Sequence, residues 1–435
     1  MKKLLVAYLY KDSIKDFMGY HKHLTHIKKL SVLYSHLKYL KHYYKKRSKL
    51  KIKNKKKFQL TSDIKKIDLE KNIIFCIKNR TNSINSPSIT KQKKHYKKLY
   101  GNTPDIEVYL LKNCSSYGRS SCISGNYKAY SNTLYHSEVG VHDLKNPILY
   151  QFNSYSKKEI TLYFKEDSFI KKSNVTFIHL LNEHSGNYFH WLYEITPKIL
   201  LLNKLVKKNE EYCLLIDKGI PQQFFTIIDL CIEFPYKLHK VSHFERFTCS
   251  KLIYCTDLWT SLDNTKNISD IQKDFFVDQY AVRLVRSRII KDQQKKPSRK
   301  IYLDRKKGRL RHLLNNSDVT SYLTLNGFEI LYPEEHCFKQ QVDIFSNARI
   351  IIGVSGAAFS NLVFMQENTH AIIFSPDTVG ANYYIFQPLA DVAKVNLTHI
   401  LTKRREETPS VHSSATIDIS QIKELLETID KENRN

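Results

Sequence analysis

The sequence contains no run of about 18 apolar residues, so no segment has the character of a transmembrane helix. None of its eight cysteines is spaced as Cys-x-x-Cys, which excludes the usual zinc and redox motifs and favours reduced, mostly buried thiols. The first residues, MKKLLVAYLYKDSIKDF, contain a short apolar core, but no small-residue cleavage site follows it. We therefore expect a protein that is not secreted and that works in the cytoplasm.

Acidic residues are scarce in the first quarter of the chain. Residues 1–100 contain 28 Lys and Arg against 5 Asp and Glu, a net charge of +23, which leaves +5 of the total +28 for residues 101–435. The basicity is therefore a property of the N-terminal quarter, and the remaining chain is close to neutral. The apolar fraction of 42%, with 22 Phe and 28 Tyr, is sufficient for folded cores and excludes a disordered protein.

Leucines recur at helical spacing within this basic segment, surrounded by lysines, at Leu30, Leu33, Leu37 and Leu40. The pattern predicts a basic amphipathic helix. Such a helix is typical of an element that binds an anionic membrane surface or an acidic partner, and equally of a solvated helical hairpin packed on the body. The lysine-rich tract at 51–58 suits phosphate groups, but we recognise no nucleic-acid-binding module and expect no nucleic-acid partner.

Short apolar runs alternate with helical segments over most of the remaining chain, which predicts βα units and a mostly parallel sheet. Strands are predicted at 106–111, 175–181, 213–216, 252–254, 301–303, 328–331, 350–353, 371–374 and 395–400. Helices are predicted at 188–206, 268–290, 318–325, 338–347 and 417–429, with Ser317 as the cap of the third.

Two changes in composition divide the chain. Residues 80–104, rich in Ser, Asn, Pro and Lys, are typical of a loop or linker, and the charged segment 291–299 contains a proline. We therefore predict a basic helical extension and linker at 1–100, an α/β domain at 101–290, and a second α/β domain with a terminal helix at 291–435. The predicted architecture is two βα domains with a cleft between them.

One stretch combines a strand pattern with a run of small residues, since residues 350–364 read IIIGVSGAAFSNLVF. The three isoleucines predict a buried strand, and Gly353, Ser355, Gly356 and Ala357 predict a tight turn before a helix. Such a turn exposes backbone N–H groups at the carboxyl edge of a sheet, where phosphates bind. An ordinary βα turn explains the same residues.

Two further stretches carry groups suited to chemistry. His190 and Glu194, within NYFHWLYEITP at 187–197, are four residues apart and share a helix face, as a general base and its orienting carboxylate would. A helix-capping histidine and a solvated glutamate are the alternative. The cationic cluster DRKKGRLR at 304–311 follows a predicted strand and suits a phosphate or diphosphate. A solvated basic loop explains it as well.

Together these stretches resemble the family 61 glycosyltransferases and the related bacterial capsular-polysaccharide proteins. That family shows N-x-x-H-W-x-x-D/E-x-x-P, an arginine-rich segment after a strand, G-F-x-x-x-x-P-E, and a strand leading into G-x-H/S-G-A-x-x-x-N-x-x-F-M. This chain has NYFHWLYEITP at 187–197, RKKGRLRHLLN at 305–315, GFEILYPEEHCFKQQVDIFSNAR at 327–349 and GVSGAAFSNLVFM at 353–365. The resemblance covers residues 170–400 and leaves the basic N-terminal portion unexplained.

The resemblance implies a GT-B fold, with two Rossmann-like domains facing a cleft, and an inverting, metal-independent transfer of a sugar from a nucleotide-sugar donor. The acceptor would be a glycan or a lipid-linked glycan in capsule or surface polysaccharide synthesis, at the inner face of the membrane. The implied donor site in the second domain consists of Arg305, Arg311, Gln341, Ser355, Gly356, Ala357 and Asn361. His190 and Glu194 would face the acceptor, with His190 as the base, and no metal or other cofactor is expected.

Two positions depart from the family pattern. Ser355 stands where many relatives have histidine, so it can donate a hydrogen bond to a phosphate oxygen but carries no charge. The strand around Ile373 lacks the glutamate for which a ribose contact is expected, and this leaves the base of the nucleotide open.

Two other functions fit some of these residues. The Gly-Val-Ser-Gly-Ala turn resembles the nucleophile elbow of a serine hydrolase, with Ser355 as nucleophile, Asp377 or Asp391 as the acid, and His399. A basic scaffold that binds anionic polymer or membrane through residues 1–100 is the non-enzymatic alternative. Replacing Ser355 by alanine would abolish a hydrolase but only weaken donor binding in a transferase.

Overall fold

A computed structural model of the chain shows a mixed α/β protein with two main sheets. It describes residue 52 and residues 54–78, 80–90, 96–136, 149–154, 158–170, 175–258, 260–261, 275–276, 278–291, 296–305, 311–377, 381–404 and 413–432. The basic amphipathic helix predicted around residues 30–40 lies outside these ranges.

The strands of the described residues are as follows in chain order: β1 Asn54–Thr61, β2 Lys71–Ile77, β3 Arg80–Ile84, β4 Ser88–Ile89, β5 Leu99–Thr103, β6 Ile106–Tyr117, β7 Ile123–Ser124, β8 Lys128–Tyr130, β9 Leu149–Ser154, β10 Glu159–Phe164, β11 Glu166–Ile170, β12 Thr176–His179, β13 Tyr212–Asp217, β14 Tyr236–Val241, β15 Glu245–Cys255, β16 Thr260–Ser261, β17 Phe275–Phe276, β18 Arg299–Leu303, β19 Glu329–Leu331, β20 Ala348–Val354, β21 His370–Pro376, β22 Asn396–Arg404 and β23 Ala415–Thr416.

The α-helices of the described residues are α1 Asn132–His136, α2 Tyr188–His190, α3 Thr196–Leu202, α4 Gln223–Cys231, α5 Gln279–Ile289, α6 Asn316–Leu325, α7 Phe338–Ser346, α8 Gln387–Ala393 and α9 Ile419–Glu432. Tighter 3-10 turns occur at Ile64–Lys66, Pro333–Glu335 and Ala357–Phe364, and a π-helical turn joins α2 to α3 at Trp191–Ile195. Among these helices, none combines the length and the hydropathy that a bilayer crossing requires.

The first sheet has twelve strands of mixed direction, in the order β14-β13-β12-β15-β6-β7-β8-β1-β10-β9, with β11 beside β15 and β2 beside β6. Strands β12, β13 and β14 run parallel, so their carboxyl ends meet at one edge. The long strands β15 and β6 are antiparallel. The strands predicted at 106–111, 175–181, 213–216 and 252–254 are confirmed.

The prediction of a helical extension and linker over residues 1–100 is wrong for the part of it that the structure describes. Residues 54–61 form β1 of the first sheet, and β2, β3 and β5 are also strands. In β1 the side chains of Phe58 and Leu60 are buried while neighbouring lysines point outward. The period-2 pattern of a strand is therefore present, but lysines fill its solvent-facing positions.

The second sheet has seven strands and is mostly parallel. Its order is β19-β18-β20-β21-β22-β23, and β4 pairs in parallel with β22 as an additional strand. This confirms the predicted strands between residues 301 and 400. The three isoleucines at 350–352 are fully buried in the centre of β20, as continuous apolar runs are in parallel sheets covered on both faces.

Three local predictions differ from the structure. Of the helix predicted at 268–290, residues 268–274 lie outside the described ranges, residues 275–276 form β17, and α5 starts at Gln279, where the Asp278 carboxylate caps it by accepting the N–H of Tyr280 at 2.9 Å. The predicted cap Ser317 lies inside α6, which follows Asn315. The helix predicted after the small-residue turn is a 3-10 helix from Ala357 to Phe364.

One apolar core continues from the first sheet to the second. Trp191 and Phe224 on one side and Ile351 and Phe359 on the other belong to the same buried cluster. Their burial removes large apolar surfaces from water, roughly 1.5–3 kcal/mol for each aliphatic or Phe side chain. The two sheets are therefore held together by packed apolar side chains.

A strap of the chain, residues 84–90 and 96–99, connects the two-stranded sheet of β3 and β5 with the second main sheet. Within it, β4 adds to the edge of β22, and the backbone N–H and side-chain amide of Asn85 donate to Asp391 at 2.8 and 2.9 Å. The hydroxyl of Tyr384 donates to the carbonyl of Lys97 at 2.8 Å. The linker predicted at 80–104 is therefore an ordered tie wherever the structure describes it.

Candidate active site

His190 and Glu194 lie where the helix after β12 widens into a π-helical turn. Asn187 caps the start of this helix by accepting the N–H of Phe189 at 2.9 Å. The N–H of Thr196 then bonds to the carbonyl of Trp191, five residues back, which defines the π turn. Single π turns of this kind are frequent at functional sites.

The His190 ring and the Glu194 carboxylate form the predicted pair, with Nδ1 2.7 Å from Oε1. The Asn182 amide donates to the second oxygen, Oε2, at 2.9 Å. Burial by itself would raise the pKa of Glu194, but the charge and hydrogen bond of His190, with His184 and Asn182, outweigh it and lower the pKa. Since an ionised carboxylate only accepts, His190 donates from Nδ1, and Nε2 is the ring nitrogen that Glu194 does not contact.

The loop that leads to His190 is held by a buried carboxylate, Asp217, at the end of β13. Its Oδ2 accepts the N–H of Asn182 at 3.1 Å, and its Oδ1 accepts the N–H of Arg119. Burial raises the pKa of Asp217 to about 6. We call Asn182, His190, Glu194 and Asp217 the carboxylate network, because one chain of hydrogen bonds connects the loop, the histidine and both carboxylates.

Two more buried charges surround this network. Glu183 accepts hydrogen bonds from the backbone and hydroxyl of Ser121 and from Ser120, each at 3.0 Å, and burial raises its pKa. Lys198, four residues past Glu194, pairs with Asp257 at 2.9 Å. Burial alone would lower the pKa of Lys198, but Asp257 raises it above its ordinary value. Lys198 is thus paired with an acid, whereas Glu183 is held by uncharged donors.

Sequence reasoning found the His190–Glu194 pair but missed Asp217 and Asn182. One signal was available for Asp217: it is an acid directly after the buried run YCLLI, at the carboxyl end of a strand that the pattern predicts. Asn182 and Arg119 follow no recognisable motif, and their proximity to Asp217 depends on the fold.

On the second sheet, two arginines converge on one backbone carbonyl. The guanidinium groups of Arg305 and Arg311 each donate to the carbonyl oxygen of Ser355 at 2.8 Å. Gly356 lies against the Arg305 guanidinium so closely that a Cβ atom there would collide with it. We call Arg305, Arg311, Ser355 and Gly356 the arginine turn. It places two permanent cations at the carboxyl end of β20.

The backbone of Arg311 is in the left-handed region, with φ of 67°. Residues other than glycine rarely adopt this conformation, and strain of this kind concentrates at functional sites. Asp304 supports the other arginine, since its Oδ1 accepts the N–H of Arg305 at 2.7 Å. Both cations are therefore fixed by the backbone around them.

Gln341 and Asn361, two further residues of the implied donor site, hydrogen-bond to each other at 2.9 Å and are buried. The Tyr188 hydroxyl donates to the other end of the Asn361 amide at 2.5 Å. Gln341 also donates to the carbonyls of Pro333 and His336 at 3.0 and 2.9 Å. In this structure the pair fixes the arginine turn to the helix that carries His190.

A cleft of about 850 Å³ lies beside Arg305 of the arginine turn and beside the start of the helix that carries His190. The first sheet contributes Gly186, Tyr188 and residues 221–223, and the second contributes residues 303–305, 333–337, 341, 354 and 357–359. Of the predicted site residues, Arg305, Gln341 and Ala357 line it. His190, Glu194, Arg311, Ser355, Gly356 and Asn361 do not appear in this lining, although Gly186 and Tyr188 immediately precede His190.

The serine hydrolase arrangement is not formed by the described residues. His399 uses Nδ1 to bond the hydroxyl of Ser375 at 2.8 Å, not that of Ser355. Asp391 is bound by Asn85 of the strap and by Gln387. Burial lowers the pKa of His399 to about 4. The predicted order of Ser, Asp and His in the chain is thus present without the geometry of a triad.

One group in the described residues has three potential metal ligands close together, namely Cys76, Asp105 and Glu107. It lies in the first sheet, outside the lining of the cleft. Glu107 is already engaged there, since Lys65 approaches one oxygen at 2.7 Å and the Tyr109 hydroxyl donates to the other at 2.8 Å. All eight cysteines are free thiols.

Comparison with known proteins agrees with this geometry. The family model described as Glycosyltransferase 61 matches residues 188–372, which include the His190–Glu194 pair, the arginine turn and the Gln341–Asn361 pair. A search of curated proteins gives no match. The matched segment takes in both walls of the cleft, and the motifs that resemble the family fall in it in the expected order. Residues 188–372 therefore match glycosyltransferase family 61.

Proposed function

We propose that this glycosyltransferase moves a sugar from a nucleotide-sugar donor to a glycan acceptor in one inverting displacement. One arrangement carries the proposal. The arginine turn lies at a cleft of about 850 Å³, and the helical segment that contributes Tyr188 to the opposite wall also carries the His190–Glu194 pair. Such a cleft has the size of a small-molecule site, and its groups are those that glycosyl transfer requires.

On the donor side, the arginine turn would bind the diphosphate. Arg305 and Arg311 stay charged at every physiological pH and present planar N–H donors that match phosphate oxygens. As the bond between the sugar carbon and the diphosphate oxygen breaks, negative charge develops on that oxygen. Fixed cations at that position stabilise the transition state more than the ground state.

On the acceptor side, His190 would take the proton of the attacking hydroxyl on Nε2. Glu194 accepts from Nδ1 and stabilises the imidazolium that forms. The hydroxyl oxygen bonds to the sugar carbon while the nucleoside diphosphate leaves from the opposite face, so the configuration inverts. The proton ends on His190, and the electron pair of the broken bond ends on the diphosphate.

The cations that this chain supplies lead us to propose a transfer that needs no metal. Two arginines offset the charge of the leaving diphosphate, which is the role that a divalent ion plays in other phosphate sites. We also propose the cytoplasm as the place of action, since eight free thiols suit a reducing compartment.

We further propose capsule or surface polysaccharide synthesis as the role. An anionic membrane surface would be contacted through the basic first hundred residues, whose net charge is +23. The two-domain GT-B arrangement is part of this proposal. It is consistent with parallel strands in both sheets, namely β12 to β14 in the first sheet and β18 to β22 in the second. The candidate groups follow the carboxyl ends of strands in each set.

A thermal-shift panel of nucleoside mono- and diphosphates and nucleotide sugars tests the proposal. A ligand at about 100 times its Kd adds roughly 2.7 kcal/mol to the free energy of unfolding, or several degrees in Tm. We expect one nucleoside diphosphate to raise Tm selectively, equally in magnesium and in EDTA. Arg305→Gln should remove the shift.

Arg299→Gln is the matched control, because Arg299 lies at the opposite end of β18 from Arg305 and forms an exposed pair with Glu329. This variant should keep the full shift. A panel without any shift, or a shift that Arg305→Gln leaves intact, would contradict the proposed donor site. A shift that disappears in EDTA would contradict the metal-independent mechanism alone.

A further inference from the structure

Arg119 occupies a strained position in the turn after β6. Its φ is 54°, in the left-handed region that residues with side chains rarely adopt. Arg311 of the arginine turn has the same kind of backbone, with φ of 67°. A non-glycine residue is held in this conformation only where the surroundings determine it, and such positions cluster at ligand sites.

The surroundings of Arg119 are those of the carboxylate network. Asp217, 1% exposed, accepts the N–H of Arg119 with one oxygen and the N–H of Asn182 with the other. Asn182 in turn holds Glu194. The backbone of Arg119 is thus tied to the same buried carboxylate as the loop that leads to His190.

The side chain of Arg119 reaches the mouth of the cleft. Its Nη2 lies 2.8 Å from the point that a Cβ atom on Gly186 would occupy, so a side chain at Gly186 would displace the guanidinium from this place. Gly186 is exposed and lines the cleft. Within the described residues, the half-buried guanidinium forms no hydrogen bond and no ion pair closer than 4 Å.

We propose that Arg119 binds an anionic oxygen group, a phosphate or a carboxylate, of a ligand in the cleft. The inference rests on the proposed function for the identity of that ligand. The group would belong either to the diphosphate of the donor or to an acidic residue of the acceptor. Arg119 lies outside the segment 188–372, so its assignment comes from this chain's own structure.

The energetics favour a ligand over a structural role. Removing a cation partly from water is unfavourable unless an anion or several acceptors compensate it. Asp217 is occupied by two backbone N–H groups and gives the guanidinium only a longer-range attraction. A planar guanidinium can hold two oxygens of a phosphate or carboxylate at once, which a lysine ammonium cannot do in the same geometry.

Isothermal titration of the full chain with inorganic pyrophosphate tests the donor source. Arg119→Gln removes the charge, and Arg119→Gly removes the side chain while suiting the positive φ, so at least one variant should fold. Arg299→Gln is again the control. We expect Kd for pyrophosphate to rise about tenfold in both Arg119 variants and to stay unchanged in the control.

A second titration tests the acceptor source. Inorganic phosphate and glucuronate are added to protein saturated with the nucleoside diphosphate from the thermal-shift panel. If Arg119 serves the acceptor, pyrophosphate binding stays intact, and the Kd for phosphate or glucuronate rises about tenfold in the Arg119 variants. Either pattern supports the inference and identifies the source.

The inference is overturned if both Arg119 variants bind pyrophosphate, phosphate and glucuronate as the unmodified chain does. This failure is distinct from that of the proposed function. If the chain binds pyrophosphate through Arg119 but binds no nucleoside diphosphate, the anion site is supported and the nucleotide-sugar donor is contradicted. If the chain binds a nucleoside diphosphate and the Arg119 variants bind every anion unchanged, the donor is supported and the Arg119 site is contradicted.

Discussion

The carboxylate network belongs to the first sheet and the helix after β12, the arginine turn belongs to the second sheet, and the two are built in different ways. In the network, His190, Glu194 and Asn182 are joined side chain to side chain, and the Asp217 carboxylate accepts the backbone N–H of Asn182. In the arginine turn, side chains hold the backbone, since both guanidinium groups donate to one carbonyl. A substitution in the network therefore alters its neighbours, whereas one in the turn alters the position of a cation.

The difference also separates their responses to solution conditions. Carboxylates and histidines change charge between about pH 3 and 8, so the network is sensitive to pH. Arginine stays protonated throughout this range, and its attraction to a phosphate is weakened by salt instead. We therefore expect pH to act on catalysis and ionic strength to act on donor binding.

The largest expected effect is on catalysis. His190→Ala removes the proposed base, and general-base catalysis contributes about 10²–10⁴-fold. We expect kcat for sugar transfer to fall by that factor while Kd for the nucleoside diphosphate stays unchanged. His243→Ala, at an exposed histidine of the first sheet, is the control. An equal loss of diphosphate affinity in His190→Ala would show that the two regions are not separate.

Asp217→Asn tests the pH dependence of the network. The folded pKa of Asp217 is raised from 3.8 to about 6, so its contribution to stability is fully present below pH 3.8 and is lost as pH rises through about 6. The free energy of unfolding of the unmodified chain, minus that of the variant, should therefore decrease by about 3 kcal/mol between pH 3.5 and 7. Urea unfolding at several pH values measures it.

Glu194→Gln is the matched variant for this measurement, with the opposite sign. The pKa of Glu194 is lowered, so its contribution is present above the ordinary glutamate pKa and is lost as pH falls through the folded value. The same difference in free energy should therefore increase with pH. Two variants with slopes of the same sign would contradict the assigned charges.

The smallest effect is expected for Gly356→Ala. The new methyl group would displace the end of the Arg305 side chain, which is flexible, so stability should change by less than about 1 kcal/mol. Kd for the nucleoside diphosphate should rise roughly threefold to tenfold, because the cation is moved and not removed. Gly101→Ala, which meets no atom within 4 Å, should change neither quantity. Unchanged affinity in Gly356→Ala would show that the position of Arg305 is unimportant.

The second sheet was largely predictable because its strands are buried on both faces. Ile350, Ile351 and Ile352 form a continuous apolar run, which pattern analysis recognises directly. The early strands of the first sheet were not predictable in this way, since β1 reads NKKKFQLT and its lysines face solvent. Only Phe58, Leu60 and Thr61 of this strand are buried, so its sequence resembles that of a basic linker.

The candidate site was predictable where its residues are close in sequence. His190 and Glu194 share a helix face by spacing alone, and the arginine turn follows from recognisable motifs. Arg119 and Asp217 are 98 residues apart, and only the antiparallel and parallel pairings of the first sheet bring them together. No local pattern marks an arginine in a turn as part of a site.

The strap has a consequence for synthesis of the chain on the ribosome. Asn85 contacts a partner 306 residues later, and Thr90 contacts one 331 residues later. At about 5–20 residues per second, the strap emerges roughly 15–60 s before those partners exist. The strap therefore cannot form these contacts until the second sheet has been made. The two halves of this enzyme cannot be completed one after the other, and the final closing of the strap joins the first-made and last-made parts of the protein.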